Sequence, residues 1–393
     1  MKTFPLGFRA WGLHSGIGKN KSKPDLALFY SPATCSAAGV FTNNQVKAAP
    51  VVFSQSALRS GRAQAVLINS GCANACTGTR GLKDTRESAA AAASGLGAGN
   101  VLVASTGVIG QFLPMAKLKA GLAQLCRTVA QGKSNPLLAV RAMMTTDTVP
   151  KFEGRALRAG GETYRIWGCV KGAGMIHPDM ATMISVVLTD AKLPAGFLRG
   201  ALKRAADESF NCASVDGDTS TNDCIFLLAN GASGASLSSA KDLKAFETGF
   251  TNLCESLARR MVQDGEGATK LVEITVSGAR TPADAKKAAQ TVATSPLVKT
   301  AMFGNDANWG RILAALGRSG AKLNPDKINV AFGNLAVARN GMALPFSEKR
   351  GLQILKGKTV PIHIDLGVGK AKAKVLTCDF SFDYVKINAE YRT

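Results

Sequence analysis

The chain reads as an α/β (α+β) protein, and three observations point that way. Short apolar runs recur along it, they alternate with stretches whose apolar residues repeat every three to four positions, and capping residues or glycines separate the two kinds. In chain order, the first expected strand is Ala65-Val66-Leu67-Ile68-Asn69, followed by an Ala-rich helix over 88–97 that ends in glycines. Strands are then expected at Val101-Leu102-Val103-Ala104 and over 183–188. A helix should start after Leu193 with Pro194 in its first turn, burying Phe197, Leu198 and Leu202. A strand over 224–228 follows. The clearest helix spans 240–263, where Leu243, Phe246, Phe250, Leu253, Leu257 and Met261 form one apolar face. A strand over 271–276 comes next, then a helix announced by Thr281-Pro282-Ala283-Asp284, a capping residue with proline at the first helical position. A last strand is expected over 360–364.

With 393 residues the chain can bury one large core or two linked lobes, and 46% hydrophobic against 19% charged residues is a globular balance. No apolar run reaches the roughly 18 residues needed to cross a bilayer. The start, Met1 to Gly7, has one early lysine and no apolar core of a signal peptide, so the cytoplasm is the expected compartment. Nine irregularly spaced cysteines, with Cys72 and Cys76 the only close pair, predict buried thiols in a reducing compartment. Only three histidines occur, His14, His177 and His363, so a multi-histidine metal site is not expected and a general base must come from elsewhere. The net charge of +21 would suit nucleic acid, an acidic membrane or an anionic small substrate. The basic residues, such as Arg155, Arg158, Lys203, Arg204, Arg259 and Arg260, are dispersed, with no arginine-rich arm or zinc-finger spacing. Neither nucleic acid nor membrane is therefore an expected partner.

Chemistry concentrates in the string Lys171-Gly172-Ala173-Gly174-Met175-Ile176-His177-Pro178-Asp179-Met180-Ala181-Thr182-Met183-Ile184. A loop loosened by glycines delivers a threonine to the start of an apolar strand. Further polar, glycine-rich strings sit at the ends of expected strands: Asn69-Ser70-Gly71-Cys72-Ala73-Asn74, Ser105-Thr106-Gly107-Val108-Ile109-Gly110, Met144-Thr145-Thr146-Asp147-Thr148, 215–223 and 264–270. With these strings and the tail 383–393, the chain resembles the ornithine acetyltransferase (glutamate N-acetyltransferase, ArgJ) family almost from end to end.

The resemblance implies an ArgJ/DmpA-like layered sandwich of β-sheets enclosed by helices. It implies self-cleavage of the Ala181–Thr182 bond into an α chain, 1–181, and a β chain, 182–393, assembled as an α2β2 heterotetramer. Thr182 would then be the nucleophile, and Thr106 with Gly107 the oxyanion hole. Thr148, Lys171, Thr182, Glu266, Asn388 and Thr393 would bind substrate. The activity implied is ping-pong transfer of acetyl from N-acetylornithine to glutamate, releasing ornithine and N-acetylglutamate. No cofactor is implied, and acetyl-CoA as a further acetyl donor stays open. The chemistry is intelligible from the residues: a hydroxyl needs an adjacent base, and cleavage frees the Thr182 α-amine, whose reference pKa of roughly 7.7–8.0 suits that role far better than a lysine near 10.4.

Lys171 suits the α-carboxylate that both acetylated substrates carry. A self-processed amidase or aminopeptidase passing the acyl group to water shares the same nucleophile and is the alternative. Asp216-Gly217-Asp218 with Asp223 lacks the spacing of a calcium loop and reads as a supporting turn. The run Phe303 to Arg311 also matches the family, as wall of the acyl pocket or as subunit contact. Departures from the commoner family pattern are Asp179, Ile184 and Arg392, none of which removes a nucleophile, oxyanion or cleavage residue.

Overall fold

The computed structural model describes residues 3–159, 161–177 and 183–390. The chain forms two compact units, one of residues 1–211 with 218–261, the other of 212–217 with 262–392.

The first unit is built on an eight-stranded sheet. Its strands are β1 (Arg9–Leu13), β2 (Leu26–Phe41), β3 (Arg62–Asn69), β4 (Val101–Ser105), β5 (Lys151–Ala159), β6 (Glu162–Lys171), β7 (Ile184–Thr189) and β8 (Cys224–Ala229). They lie in the order β4-β3-β2-β8-β7-β6-β5, with β1 added alongside β2. β2 serves two neighbours in turn. Its first half pairs with β1, its second with β8, and the register to β3 breaks between Tyr30 and Cys35. Pro32, which has no N–H for a ladder, falls in that break. The pairs β3–β4 and β7–β8 are parallel.

β4, β7 and β8 are buried along their whole length, which is why they read as unbroken apolar runs rather than as alternation. Alternate residues feed opposite faces. Ala27, Phe29, Val66, Ile68 and Trp167 pack with Ala139 and Met143 of the helix Pro136–Met143. Leu26, Leu28, Leu67, Val101 and Val103 pack with Leu118, Leu122 and Leu125 of the helix Met115–Ala130. The long helix Ala240–Gln263 lies so close to β6 that a Cβ on Gly168 would stand 3.0 Å from the Leu257 Cδ1.

The second unit has a six-stranded sheet of β9 (Leu271–Ala279), β10 (Asn329–Phe332), β11 (Leu335–Arg339), β12 (Met342–Ala343), β13 (Thr359–Asp365) and β14 (Ala371–Cys378), ordered β12-β11-β10-β13-β9-β14. Val272, Ile274 and Val276 of β9 bury one face against Ala285, Ala288, Ala289 and Val292 of the helix Pro282–Ala293. In both units helices pack on the sheet, the layered α/β class expected from the sequence.

Every expected strand is present, β7 starting one residue later than read, at Ile184. The helix over 240–263 has the expected bounds, and Thr281 caps its helix by accepting from the Asp284 N–H. Gly97 closes the Ala-rich helix in the left-handed conformation at φ 61°. Pro194 is a correction: it stands at the N-cap of the helix Ala195–Glu208 rather than in its first turn, and Phe197 is only half-buried there. β5 and β14 escaped the sequence reading because Lys and Arg interrupt their apolar pattern, as in Ala371-Lys372-Ala373-Lys374.

Candidate active site

The parallel strands β3 and β4 end together, Asn69 in register with Ser105. Ser105 Oγ donates to Asn69 Oδ1 at 2.6 Å, and Asn69 Nδ2 donates to the Cys72 carbonyl at 2.8 Å. Beyond the sheet the two segments run side by side: Thr106 N donates to Asn69 O at 3.0 Å, Ala73 N to Val108 O at 3.0 Å and Gly110 N to Ala75 O at 3.0 Å. Gly107 has φ 128°, and a Cβ there would lie 2.3 Å from the Gly71 carbonyl carbon, so only glycine lets the two backbones meet. From the turn before β8, Asn222 Nδ2 donates to both Ala73 O (2.7 Å) and Ser105 O (2.8 Å). One amide thus fixes both backbones at the base of the Thr106–Gly107 turn.

Lys171 is the last residue of β6 and is buried, not the solvated loop lysine its surroundings in sequence suggest. Its Nζ donates to Thr106 Oγ1 at 3.1 Å. A hydroxyl that accepts from an ammonium turns its own proton elsewhere, so the Thr106 O–H is a donor strengthened by a neighbouring charge. Lys171 also stands opposite Ile184, the first residue of β7, and Ile184 in turn stands opposite Cys224 of β8. The start of β7 therefore lies between Lys171 on one side and Asp223-Cys224 on the other. Cys224 N donates to Met183 O at 3.1 Å, and Met183 N donates to Asp223 Oδ1 at 3.0 Å.

Two buried carboxyls flank this arrangement. Asp147 Oδ1 accepts from Lys151 Nζ and from Gly172 N, each at 2.7 Å, and Oδ2 accepts from Thr145 N at 3.0 Å. Burial opposes its ionisation, but the charges of Lys151 and Lys171 and these donors outweigh it and hold the carboxyl down to about 2. Asp223 is fully buried, and burial pushes it well above the usual carboxylate range despite the Met183 N–H and the charge of Lys171. Its Oδ2 has no hydrogen-bond partner among the described residues. Lys23 donates to the Thr145 carbonyl at 2.7 Å, and burial followed by its lysine neighbours lowers its pKa against the pull of Asp147. Among the described residues this cluster holds Asp147 with three lysines, Lys23, Lys151 and Lys171.

A second polar cluster belongs to the second unit. Glu266 is buried in the loop after the long helix, and its Oε2 accepts from Asn388 Nδ2 at 2.9 Å. Asn388 lies on the helix Phe382–Glu390 and also donates to Tyr384 O at 3.0 Å. Gly267, at φ 67°, allows that helix to approach: a Cβ would stand 2.4 Å from Tyr384 N. Ser381 Oγ completes the clamp by donating to Gly267 O at 2.6 Å.

The structure thus brings together Thr106, Gly107 and Lys171, with Thr148 exposed on the turn beside Asp147, and it separately pairs Glu266 with Asn388. Ala181, Thr182 and Thr393 lie outside the described residues, as do Asp179 and Arg392. In the run Phe303 to Arg311, Asn308 caps the helix Trp309–Gly317 and Asn305 Oδ1 accepts from Lys270 Nζ at 2.6 Å. Sequence reasoning gave no role to Asp147, Lys151 or Asn222, although Asp147 and Asn222 lay in strings it singled out, and it read Asp223 as part of a supporting turn. The i, i+4 spacing of Asp147 and Lys151 was a signal for the first pair, whereas nothing local marked Asn222, whose partners lie 149 and 117 residues away.

Residues 9–393 match the ArgJ family. The chain is 47% identical to the arginine biosynthesis bifunctional protein ArgJ of Symbiobacterium thermophilum, over 100% of this chain and 98% of that one. It is 48% identical to the protein of the same name from Geobacter sulfurreducens, over 98% and 99% respectively. Among solved structures, an arginine biosynthesis bifunctional protein ArgJ from Bacillus halodurans is similar with a TM-score of 0.50 and 40% identity, covering 51% of this chain and 96% of that chain.

Proposed function

This chain belongs to the ArgJ family, and on that premise we propose that it is an acetyltransferase of arginine biosynthesis that carries the acetyl group on Thr182. The chain cuts itself between Ala181 and Thr182, and the freed α-amine of Thr182 is the base. That amine takes the Thr182 Oγ proton as Oγ attacks the acetyl carbon of N-acetylornithine. The tetrahedral oxyanion rests on the Thr106 hydroxyl and the Gly107 turn. Its collapse breaks the amide bond, and ornithine leaves with the proton. Glutamate then attacks the acetyl-Thr182 ester through its amine, giving N-acetylglutamate and restoring Oγ–H. Lys171 draws in the substrate carboxylate, with Thr148, Glu266, Asn388 and Thr393 completing recognition. The carrier is the threonine, so the cycle requires no cofactor; acetyl-CoA serves at most as another donor to the same Oγ.

The observation that carries this reading is the Lys171–Thr106 contact at the end of β4, a charge-strengthened donor beside a glycine turn, with Lys171 in register with Ile184 at the start of β7. The solved Bacillus relative supports cleavage, since a chain covered over 96% of its length but spanning 51% of this one is as long as a fragment. The fragments 1–181 and 182–393 stay associated, as an α2β2 assembly in the cytoplasm. No helix among the described residues is long and apolar enough to cross a membrane.

Intact mass and N-terminal sequencing of the protein beside Thr182→Ala test the reading. Two fragments are expected, the second starting Thr-Met-Ile-Ser, against one full-length chain in the variant. Acetyl transfer from N-acetylornithine should require glutamate. Release of free acetate at the same rate without glutamate would replace the transferase with the amidase.

A further inference from the structure

Asn222 and Asp223 are adjacent residues with different roles in one site. Asn222 spends its amide on Ala73 O and Ser105 O, the two carbonyls beneath the Thr106–Gly107 turn. Its own Oδ1 accepts from Thr221 Oγ1 at 2.6 Å, so the amide cannot rotate without losing three bonds. Asp223 acts on the other side. Its main-chain carbonyl accepts from Thr42 N at 3.0 Å, which continues the β2–β8 pairing. The side-chain Oδ1 then accepts from Met183 N, where a neighbouring strand would ordinarily offer a carbonyl. Met183 N is bonded covalently to the carbonyl carbon of Thr182, so this bond fixes the peptide immediately after the nucleophile.

We infer that Asn222-Asp223 is the positioning pair of the site, Asp223 setting the backbone that follows Thr182 and Asn222 setting the oxyanion turn against it. The inference rests on Thr182 being the nucleophile. Both bonds end on one dipeptide, and the two residues before it are held by Thr42 Oγ1 on Ser220 O (2.7 Å) and Ala48 N on Thr221 O (2.9 Å), so a displacement of the turn moves both halves of the reaction geometry. Asp223 does this as a hydrogen-bond acceptor through Oδ1, and its complete burial raises its pKa above the ordinary carboxylate value. A misplacement on the order of 1 Å far from the reacting atoms can cost about 10²-fold in rate.

Asp223→Asn keeps an acceptor of the same shape and no charge, whereas Asp223→Ala removes it. In purified full-length protein, the Asn variant should cleave itself and turn over within about threefold of the original, with an unshifted pH profile. The Ala variant should lose on the order of 10²-fold in kcat and cleavage rate with little change in KM, in protein that melts cooperatively. If the Ala chain does not fold, Asn222→Ala, which severs the other half, is read in the same way. An Asn variant as slow as Ala, or an Ala variant as fast as the original, overturns the positioning role. Thr182→Ala separates the two readings: an inactive, uncut Thr182→Ala beside a fast Asp223→Ala sinks only the positioning pair, while an active Thr182→Ala sinks the nucleophile itself.

Discussion

Asp147 and Asp223 flank Lys171 at the same sheet end, both buried, and their surroundings shift their pKa values in opposite directions. The loop before β5 gives Asp147 an ammonium and two backbone N–H donors. The turn before β8 gives Asp223 a hydrogen bond from Met183 N and leaves Oδ2 without a described partner. Burial opposes ionisation at both; at Asp147 the charges of Lys151 and Lys171 with its donors outweigh it, whereas at Asp223 the Met183 N–H, the charge of Lys171 and the Ser220 hydrogen bonds do not. Asp147 is driven to about 2 and Asp223 well above the ordinary range. The lesson is one of division of labour. Asp147 pairs with part of a lysine cluster, and Asp223 holds the backbone at Met183.

The sharpest way to break this comparison is the same substitution at both positions. Asp147→Asn removes the counter-charge of buried Lys151 and should cost about 3–5 kcal/mol in urea unfolding, whereas Asp223→Asn should cost under about 1 kcal/mol. Adding Lys151→Met to Asp147→Asn should restore most of the loss, since an apolar side chain leaves no charge unpaired. Acid titration carries the same contrast with opposite signs. Asp147 is depressed below its ordinary 3.8, so its stabilisation is complete above that value and fades as pH falls toward 2, on the order of 2 kcal/mol in all. Asp223 is raised, so its contribution is complete below the ordinary value and fades as pH climbs toward its own higher pKa. Equal penalties for the two Asn variants would mean that both carboxyls carry the same charge.

Thr106 tests whether the positive environment is spent on catalysis. Thr106→Val keeps the shape and removes the hydroxyl that Lys171 polarises. Turnover should fall by about 10²–10³, equivalent to about 2.7–4 kcal/mol of transition-state stabilisation, with KM changed far less. Thr106→Ser should recover most of it. A KM effect with kcat intact would instead make Thr106 a ground-state substrate contact.

These contrasts also explain what could be read in advance. In the first sheet β4, β7 and β8 announce themselves because both of their faces are buried and no polar position blurs the run, whereas Lys and Arg interrupt β5. The strings that hold Thr106, Gly107 and Lys171 stood out because glycine and polar residues cluster where such runs stop, and the family resemblance supplied their roles. The burial of Lys171 against Thr106, 65 positions away, is not written in its neighbours. Asp223 was legible only as part of a supporting turn and Asn222 only as part of a polar string, because an amide that clamps two remote carbonyls and a carboxyl that meets a remote N–H leave no mark on neighbouring residues. Periodicity reports what faces the core. It is silent about which distant backbone group a polar side chain will meet.

The Glu266–Asn388 pair offers the smallest effect and a different kind of contrast. Glu266 is buried, but Asn388 is exposed on the last described helix, so their bond at 2.9 Å is partly screened by solvent. The Lys171–Thr106 contact is sealed within a sheet end, whereas this one depends on how the helix Phe382–Glu390 sits against Gly267 and Ser381. A pair held so loosely is better suited to recognising substrate than to stabilising a transition state. Asn388→Ala should therefore raise KM about fivefold, corresponding to about 1 kcal/mol, with kcat nearly unchanged. Asn388→Asp places a second carboxylate against Glu266 and should raise KM further, an effect that salt weakens. A fall in kcat at constant KM would move Asn388 from recognition to the chemical step, and the division between a rigid catalytic cluster and an adaptable recognition cluster would no longer hold.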